Sequence, residues 1–443
     1  MKKILIIGAG KSSTYLIEYL LKSALEKNRE ITVADLQLDV ALKKINGHAA
    51  GKAVELAIDD TDARRRIIAN SDLVVSMLPA FLHPLIAKDC LELGKHFFSA
   101  SYESEDLRRL KEEIASKNLL FLNECGLDPG IDHMSAMRII DHEKKKGHEI
   151  TAFKSYTGGV LAPESEDNPW KYKFTWNPRN VVLAGQGMSR FIRNGKYKFI
   201  PYHMLFRRLE KVHFDEVGGF DAYPNRDSLT YRKIYGLQDI PTLLRGTLRR
   251  TGFCGSWDVF VQLGMTDDTF EMDLPDGFTA REFINAFLPF HASKTIEEKI
   301  YELLPSVNAK IMEKIKWLGL LEEIPMSKTK GSPASLLQDL LERKWALQPD
   351  DKDMIVMQHL FEVKTPEGLK TITSSLVCKG ENQVHTAMAK TVGLPLAMAV
   401  DLFLDGTIQS RGLRLPISAE FYNPILNKLE EEGIIFKEST LES

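Results

Sequence analysis

The chain has 443 residues, with 58 Lys and Arg against 61 Asp and Glu, for a formal net charge of −3. Hydrophobic residues make up 44% and charged residues 27%, a balance that excludes a disordered chain, which needs low hydrophobicity and high net charge. An isoelectric point near 6.4 leaves no electrostatic footprint for a nucleic-acid partner, and the length allows two or three domains.

The longest apolar stretch, residues 73–87, is interrupted by Pro79, His83 and Pro84. A bilayer span needs about 20 continuous apolar residues, so no membrane partner is expected. Only four apolar residues lie between Lys3 and Gly8, too few for a secretory signal. Cys90, Cys125, Cys254 and Cys378 are scattered and form no C-x-x-C, which argues against a disulfide framework and for a cytoplasmic location.

In chain order, residues 3–7 form a short apolar run ending at Gly8, the pattern of a buried strand. Tyr15, Leu16, Tyr19 and Leu20 then recur on one helical face. A second strand is expected at 30–34, ending at Asp35, with others at 54–58, 73–77, 97–99 and 119–122, each followed by a helix-like segment. Strands alternating with helices predict a doubly wound α/β sheet over residues 1 to about 130.

From Glu149 the pattern changes to an α+β unit, with strands at 150–156, 180–183 and 212–215. Residues 238–350 read as helical, with stripes at Ile296, Ile300, Leu303 and Leu304 and at Ile311, Ile315 and Leu318. Ser332-Pro333 has the form of an N-cap followed by proline at the first helical position. Strands at 354–363 and 371–378 flank the turn Thr365-Pro366-Glu367-Gly368 as a hairpin. The tail, residues 385–404 and 421–436, is again helical.

Gly8-Ala9-Gly10-Lys11-Ser12-Ser13 lies between the first strand and the first helix. The pattern is G-x-G-x-x-S: Gly8 permits the tight turn, Gly10 lets a pyrophosphate approach the backbone, and Ser13 is small enough for close helix–strand packing. The free N–H groups of the helix start supply an anion site. These residues and Asp35 are the candidate dinucleotide site. Gly10-Lys11-Ser12 also imitates the end of a Walker A loop, but that motif needs glycine where this chain has Leu5. A carboxylate at Asp35 accepts hydrogen bonds from the ribose of NAD and repels the 2′-phosphate of NADP, so NAD is favoured. Lys43 and Lys44 are the nearby cations that would offset the repulsion and keep NADP possible.

Ligands of open α/β sheets bind beyond the carboxyl ends of the strands. Two such ends carry polar groups: Ser99-Ala100-Ser101-Tyr102, and Asn123-Glu124-Cys125-Gly126-Leu127-Asp128-Pro129-Gly130-Ile131-Asp132-His133. Asp132 reads as the N-cap of the next helix, and Asp128 has the bland alternative of starting a turn. Further polar groups, expected on loops, follow at Ser155-Tyr156-Thr157-Gly158-Gly159, Lys173-Phe174-Thr175-Trp176, Tyr223-Pro224-Asn225-Arg226-Asp227-Ser228 and Arg245-Gly246-Thr247-Leu248-Arg249.

Together these motifs closely resemble the L-glutamate-forming saccharopine dehydrogenases, or saccharopine reductases, over nearly the whole chain. Asp35 departs from the pattern, because the fungal NADP-using members have no acid there. The resemblance implies a Rossmann-type dinucleotide domain (1–130, completed by about 385–443) and an α+β substrate-binding and dimerisation domain (131–384). An all-helical insertion occupies about 238–350 of the latter, and the assembly is a homodimer. It also implies oxidation of saccharopine to glutamate and 2-aminoadipate 6-semialdehyde, with substrate contacts at Ser101, Tyr102, Asp128, Arg226, Thr247, Leu248 and Arg249 and with Thr175 near the nicotinamide. In that reading Arg226 and Arg249 clamp carboxylates through paired N–H donors, Asp128 holds the amine, and Tyr102 supports proton transfer.

Plainer readings stand beside these. Arg226 could pair with Asp227 at the surface, and Arg249 could belong to a solvated basic face with Arg250. Cys125 reads as packing rather than a nucleophile. His142 and His148 are too far apart on one helix for a metal pair, so no metal is expected. Carboxynorspermidine dehydrogenase is the alternative enzyme, although its product has fewer carboxylates to clamp. A catalytically silent NAD-sensing protein is the alternative of another class.

Overall fold

The computed structural model describes residues 1–442, all but the last of the 443. In chain order it opens with β1 (Lys2–Ile7), α1 (Thr14–Lys22), β2 (Arg29–Asp35), α2 (Leu38–Ile45), β3 (Gly51–Glu55), α3 (Thr61–Ala69), β4 (Leu73–Ser76) and α4 (His83–Glu92). There follow β5 (His96–Ser99), α5 (Glu105–Arg109), α6 (Lys111–Ser116), β6 (Leu120–Leu122), α7 (Ile131–Lys145) and β7 (Glu149–Leu161). The middle of the chain holds α8 (Pro178–Val182), β8 (Met188–Arg193), β9 (Lys196–Pro201), α9 (Tyr202–Leu205), β10 (Glu210–Phe214), β11 (Gly218–Pro224), α10 (Thr230–Ile234) and β12 (Thr242–Arg250). Next come α11 (Phe253–Leu263), β13 (Met272–Asp273), α12 (Ala280–Ala286), α13 (Ile296–Leu303), α14 (Ala309–Trp317), β14 (Lys330–Gly331) and α15 (Pro333–Trp345). The chain closes with β15 (Asp353–Thr365), β16 (Gly368–Lys379), α16 (Ala387–Leu404), β17 (Gly412–Arg414), α17 (Ala419–Glu431) and β18 (Lys437–Glu442).

The chain divides into two compact units. The first comprises Met1–Ile150, Val363–Leu369 and Leu376–Glu438. Its seven-stranded sheet has the order β17-β6-β5-β4-β1-β2-β3, and every pairing in it is parallel. The central strands are apolar runs buried on both faces, as crossover helices require. The unit runs on to Ile150 rather than ending near residue 130, because α7 is tied to α17: Tyr422 donates to Asp141 at 2.7 Å and Arg138 pairs with Glu430 at 3.0 Å.

The C-terminal return supplies β17 at the sheet edge and α16 against α1. A Cβ on Gly393 of α16 would sit 2.8 Å from the Leu16 amide nitrogen, so the two helices touch backbone to backbone. Lys27 and Arg29 hold the far end of α16 through Asp401, at 2.7 and 2.5 Å. α16, not residues 73–87, is the segment whose length and apolar composition would suit a membrane crossing, yet most of it is buried within this unit.

The second unit comprises Thr151–Glu362, Lys370–Ser375 and Ser439–Ser443. Its main sheet runs β10-β11-β12-β7-β15-β16-β18, with β8 and β9 attached beside β12. Residues 180–183 are not a strand: Asn177 caps α8 through the Arg179 amide and Pro178 starts it, which overrides the β preference of the two valines. Residues 238–350 are not helical throughout, because they begin with β12, which pairs parallel to β7 and antiparallel to β11. α15 starts as its sequence predicts, with the Ser332 side chain accepting from the Ser335 amide and Pro333 in the first turn.

The polar motifs at Ser155, Tyr223 and Arg245 were expected on loops. Those at Ser155 and Arg245 lie instead within β7 and β12; of the third, Tyr223-Pro224 ends β11 and residues 225–228 follow it outside the strand.

Candidate active site

In the first unit the Gly-rich turn follows β1. Gly8 has φ +103°, and a Cβ there would stand 3.1 Å from the Met77 carbonyl beyond β4, so any other residue would be strained and crowded. Gly10 is the opposite case: a Cβ on it would meet nothing within 4 Å, which leaves open space beside its backbone. Among the described residues no backbone acceptor is paired with the amides of Gly10, Lys11 or Ser12, the arrangement of a helix start ready for an anion. Ser13 is buried and donates to the Gly10 carbonyl at 2.8 Å, which pins the turn. These residues fit the pyrophosphate of a dinucleotide.

Asp35 ends β2 beside this turn. One carboxylate oxygen accepts from the Ala9 amide at 2.7 Å and the other from the Gln37 amide at 3.0 Å. Two of about four lone-pair sites are thereby used, so the carboxylate keeps capacity for ribose hydroxyls. Lys44 is engaged at the start of α1, next to the Gly-rich turn. Its ammonium donates to Thr14, and burial lowers its pKa from the ordinary lysine value.

Beyond β5 and β6 the structure brings three expected residues into one neighbourhood. Tyr102 donates its phenol hydrogen to Asp128 at 3.0 Å, and the Ser101 carbonyl accepts from the Glu124 amide at 3.0 Å. Glu124 is buried and bridges the Glu103 amide (3.0 Å) and His133 (2.8 Å). Asp132 is not the N-cap. Gly130 occupies that place, and Asp132, in the first turn of α7, reaches back to accept the Gly130 amide at 2.7 Å. Both polar atoms of the Asn123 side-chain amide are buried without a hydrogen-bond partner among the described residues. Burial raises the Cys125 thiol far above its usual range, in keeping with packing rather than attack.

Sequence reasoning missed His83. It opens α4 with its ring between the ends of β4 and β5, 2.9 Å from the Ser76 hydroxyl and 2.7 Å from that of Ser101. Burial lowers its pKa to about 4, so the ring is neutral and fixes the Ser101 hydroxyl as a hydrogen-bonding partner rather than a charge. Its only sequence signal was a histidine interrupting the apolar run after β4.

In the second unit Arg249 lies on β12 and is 4% exposed. A buried guanidinium is ordinarily paired with an acid, yet the one protein acceptor that Arg249 finds among the described residues is the Leu248 carbonyl, at 3.2 Å. Asp221 stands directly across the ladder, but its carboxylate is taken by Lys211 and by the Gly252 amide. The Arg249 guanidinium packs over the rings of Tyr172 and Phe253, 5.5 and 5.6 Å from their centroids. Burial raises the Tyr223 phenol above its ordinary value while Arg249 and Arg226 pull it down, and Thr247 lies within hydrogen-bonding reach of it.

Two plainer readings are overturned here. Arg249 and Arg250 form no solvated face: both are buried, and Arg250 pairs with Glu166 at 2.5 Å. Arg226 does not pair with Asp227, whose carboxylate is held by Arg190 at 2.6 Å and by Thr230. The Arg226 side chain is exposed, with φ +25° and no ion pair among the described residues. Thr175 is buried, and its hydroxyl has no hydrogen-bond partner among the described residues. His142 and His148 form no cluster able to ligate a metal, nor does any other group among the described residues.

A parallel sheet in the order β3-β2-β1-β4-β5-β6, with a Gly-rich turn after β1 and an acid after β2, defines a dinucleotide-binding α/β protein. Residues 4–122 match the family model described as the saccharopine dehydrogenase NADP binding domain, and residues 126–434 match the saccharopine dehydrogenase C-terminal domain. The chain belongs to the saccharopine dehydrogenase family.

The chain is 32% identical over its full length, and that of its relative, to saccharopine dehydrogenase [NADP(+), L-glutamate-forming] of Schizosaccharomyces pombe. It is 37% identical to the mitochondrial alpha-aminoadipic semialdehyde synthase of Bos taurus over 98% of this chain and 47% of that one. It therefore spans about half the length of the animal relatives that it matches. The structure of the apo L-Glu-forming saccharopine dehydrogenase of Saccharomyces cerevisiae superposes with a TM-score of 0.89 at 31% identity, covering all of both chains.

Proposed function

We propose that this protein interconverts saccharopine with glutamate and 2-aminoadipate 6-semialdehyde, and that NAD is its preferred cofactor. The observation that carries the reading is Arg249, a buried guanidinium without an acidic partner among the described residues, which suits a substrate with carboxylates to bury. Arg226 and Thr247 would add polar contacts to such a substrate, and Leu248 an apolar wall.

In the oxidative direction Asp128 holds the secondary amine and takes up its proton, with the Tyr102 phenol orienting the carboxylate. The C–H bond on the lysine-derived carbon breaks with its electron pair, and a C=N bond forms. A bound nicotinamide ring would accept that hydride. Asp128 then orients a water whose oxygen bonds to the imine carbon and, as it gives up its protons, becomes the C=O of the semialdehyde. The C–N bond breaks, and its electrons stay with nitrogen, which takes a proton and leaves as the amine of glutamate. His83 holds the hydroxyl of Ser101, the residue before Tyr102, with no charge of its own.

For the cofactor, the Gly8–Ser13 turn would hold the pyrophosphate and Asp35 the adenosine ribose. The relatives named above include enzymes described with NADP(+). Against NADP stand the Asp35 charge, the uncharged Leu36, Gln37 and Leu38 that follow it, and the engagement of Lys44 with Thr14. The test is absorbance at 340 nm with saccharopine, NAD and NADP being tried in parallel, together with a glutamate assay. Turnover of carboxynorspermidine without turnover of saccharopine would overturn the reading.

A further inference from the structure

We propose that the hydroxyl of Tyr172 joins the Arg249 guanidinium in a buried carboxylate site. The proposal rests on the reading of Arg249 above and adds a residue that neither the motifs nor the comparisons single out. Tyr172 is 1% exposed, and its hydroxyl oxygen is enclosed without a hydrogen-bond partner of proper geometry. The Trp176 side chain is close enough to act as a donor to that oxygen, but an indole N–H can only donate. The phenol hydrogen therefore has no acceptor among the described residues. Native proteins seldom leave such a group unsatisfied.

The surroundings explain what would satisfy it. The Tyr172 ring packs edge-on against Phe174 and Trp345, at 6.1 and 5.1 Å between centroids, so the phenol has little freedom to swing toward water. Arg249 lies over the same ring. An O–H donor without an acceptor and a guanidinium without an acid, side by side, require the same thing: an anionic acceptor with two oxygens. A carboxylate supplies one oxygen to each, and charge-assisted hydrogen bonds of this kind are the strong ones. The Tyr223 phenol, beside Arg249 and Thr247, borders the same place.

This assignment predicts different effects on stability and binding from one change. Tyr172→Phe removes a hydroxyl whose hydrogen has no acceptor among the described residues and which the Trp176 indole approaches only with poor geometry, so its melting temperature should change little. Its dissociation constant for saccharopine, measured by calorimetry with NADH present so that no turnover occurs, should rise at least tenfold. Glutarate, a dicarboxylate without an amine to oxidise, is titrated in parallel and should show the same loss. A marked fall in melting temperature would make the hydroxyl structural and overturn the proposal. Equal affinities in Tyr172→Phe and unmodified protein would overturn it too, as would failure of both ligands to bind the unmodified protein. If glutarate binds and is weakened tenfold while saccharopine neither binds nor turns over, the carboxylate site stands and the saccharopine reading falls.

Discussion

Replacing Asp35 with Asn tests how the chain selects its cofactor. A 2′-phosphate placed about 4 Å from the Asp35 carboxylate would be repelled by roughly 4 kcal/mol per charge pair at an effective dielectric near 20. Asp35 is partly exposed, so solvent and salt remove much of that. A tenfold preference in kcat/KM needs only about 1.4 kcal/mol, and the unmodified protein should favour NAD by at least that factor. Asp35→Asn removes the charge while keeping one acceptor oxygen for the Ala9 or Gln37 amide. The other amide loses its acceptor, at a cost of about 1–3 kcal/mol in stability; Ser would be a worse replacement, because its single hydroxyl reaches less far. The variant should use NAD and NADP within a few-fold of each other, with KM for saccharopine unchanged. Initial rates at 340 nm with each cofactor, and a thermal melt, are the measurements. A clear NADP preference in the unmodified protein, or an unchanged ratio in the variant, would refute the argument and point to a cation reading the ribose instead.

Arg226 and Arg249 should separate by burial. Arg249→Met removes a buried charge that has no acidic partner, so stability should hold or increase, while saccharopine binding falls by about 2–5 kcal/mol in calorimetry. Arg226→Ala, at an exposed position, should cost binding only about 1 kcal/mol and lose that effect in high salt. Acidification should destabilise the fold through His83. Its folded pKa, about 4, lies below the ordinary 6.5, so the unfolded chain binds the proton first. The stability is fully present above pH 6.5 and lost as pH falls toward 4, by roughly 3 kcal/mol. His83→Asn should flatten that stretch of the stability–pH curve in denaturant titrations, and an unchanged curve would place the titration elsewhere.

The central strands of the first sheet were legible because each is a local apolar run followed by a helical face, and the Gly8 turn announces itself; β3, expected at 54–58, lies at 51–55, where its Gly, Lys and Glu hide a half-buried strand. The other edge of the sheet was not legible, because β17 contributes three residues with no local strand signal, and only pairing with β6 makes them a strand. β12 was hidden for another reason. Arg245, Arg249 and Arg250 give it the look of a solvated stretch, whereas ring faces, carbonyls and a carboxylate receive their buried guanidinium groups. The polarity of Arg249 was readable, but its isolation from any acid was not, because that depends on Lys211 occupying Asp221. His83 could not be singled out, since its partners Ser76 and Ser101 come from two different strand ends.

The late arrival of α16 and β17 in the first unit bears on how the chain is made. A ribosome releases β1 to β6 long before the helix that covers α1, and the pair joining Lys27 to Asp401 closes a separation of 374 residues. Until then Leu16 has no cover from Gly393, and the outer edge of β6 offers an unpaired row of amides and carbonyls, the template on which sheets aggregate. Nearly all of the second unit, residues 151–362 and 370–375, is synthesised within that interval. A fragment ending at Ile150 should therefore be a sticky, incomplete sheet. Folding around a cofactor would stay out of reach until the last part of the chain has emerged.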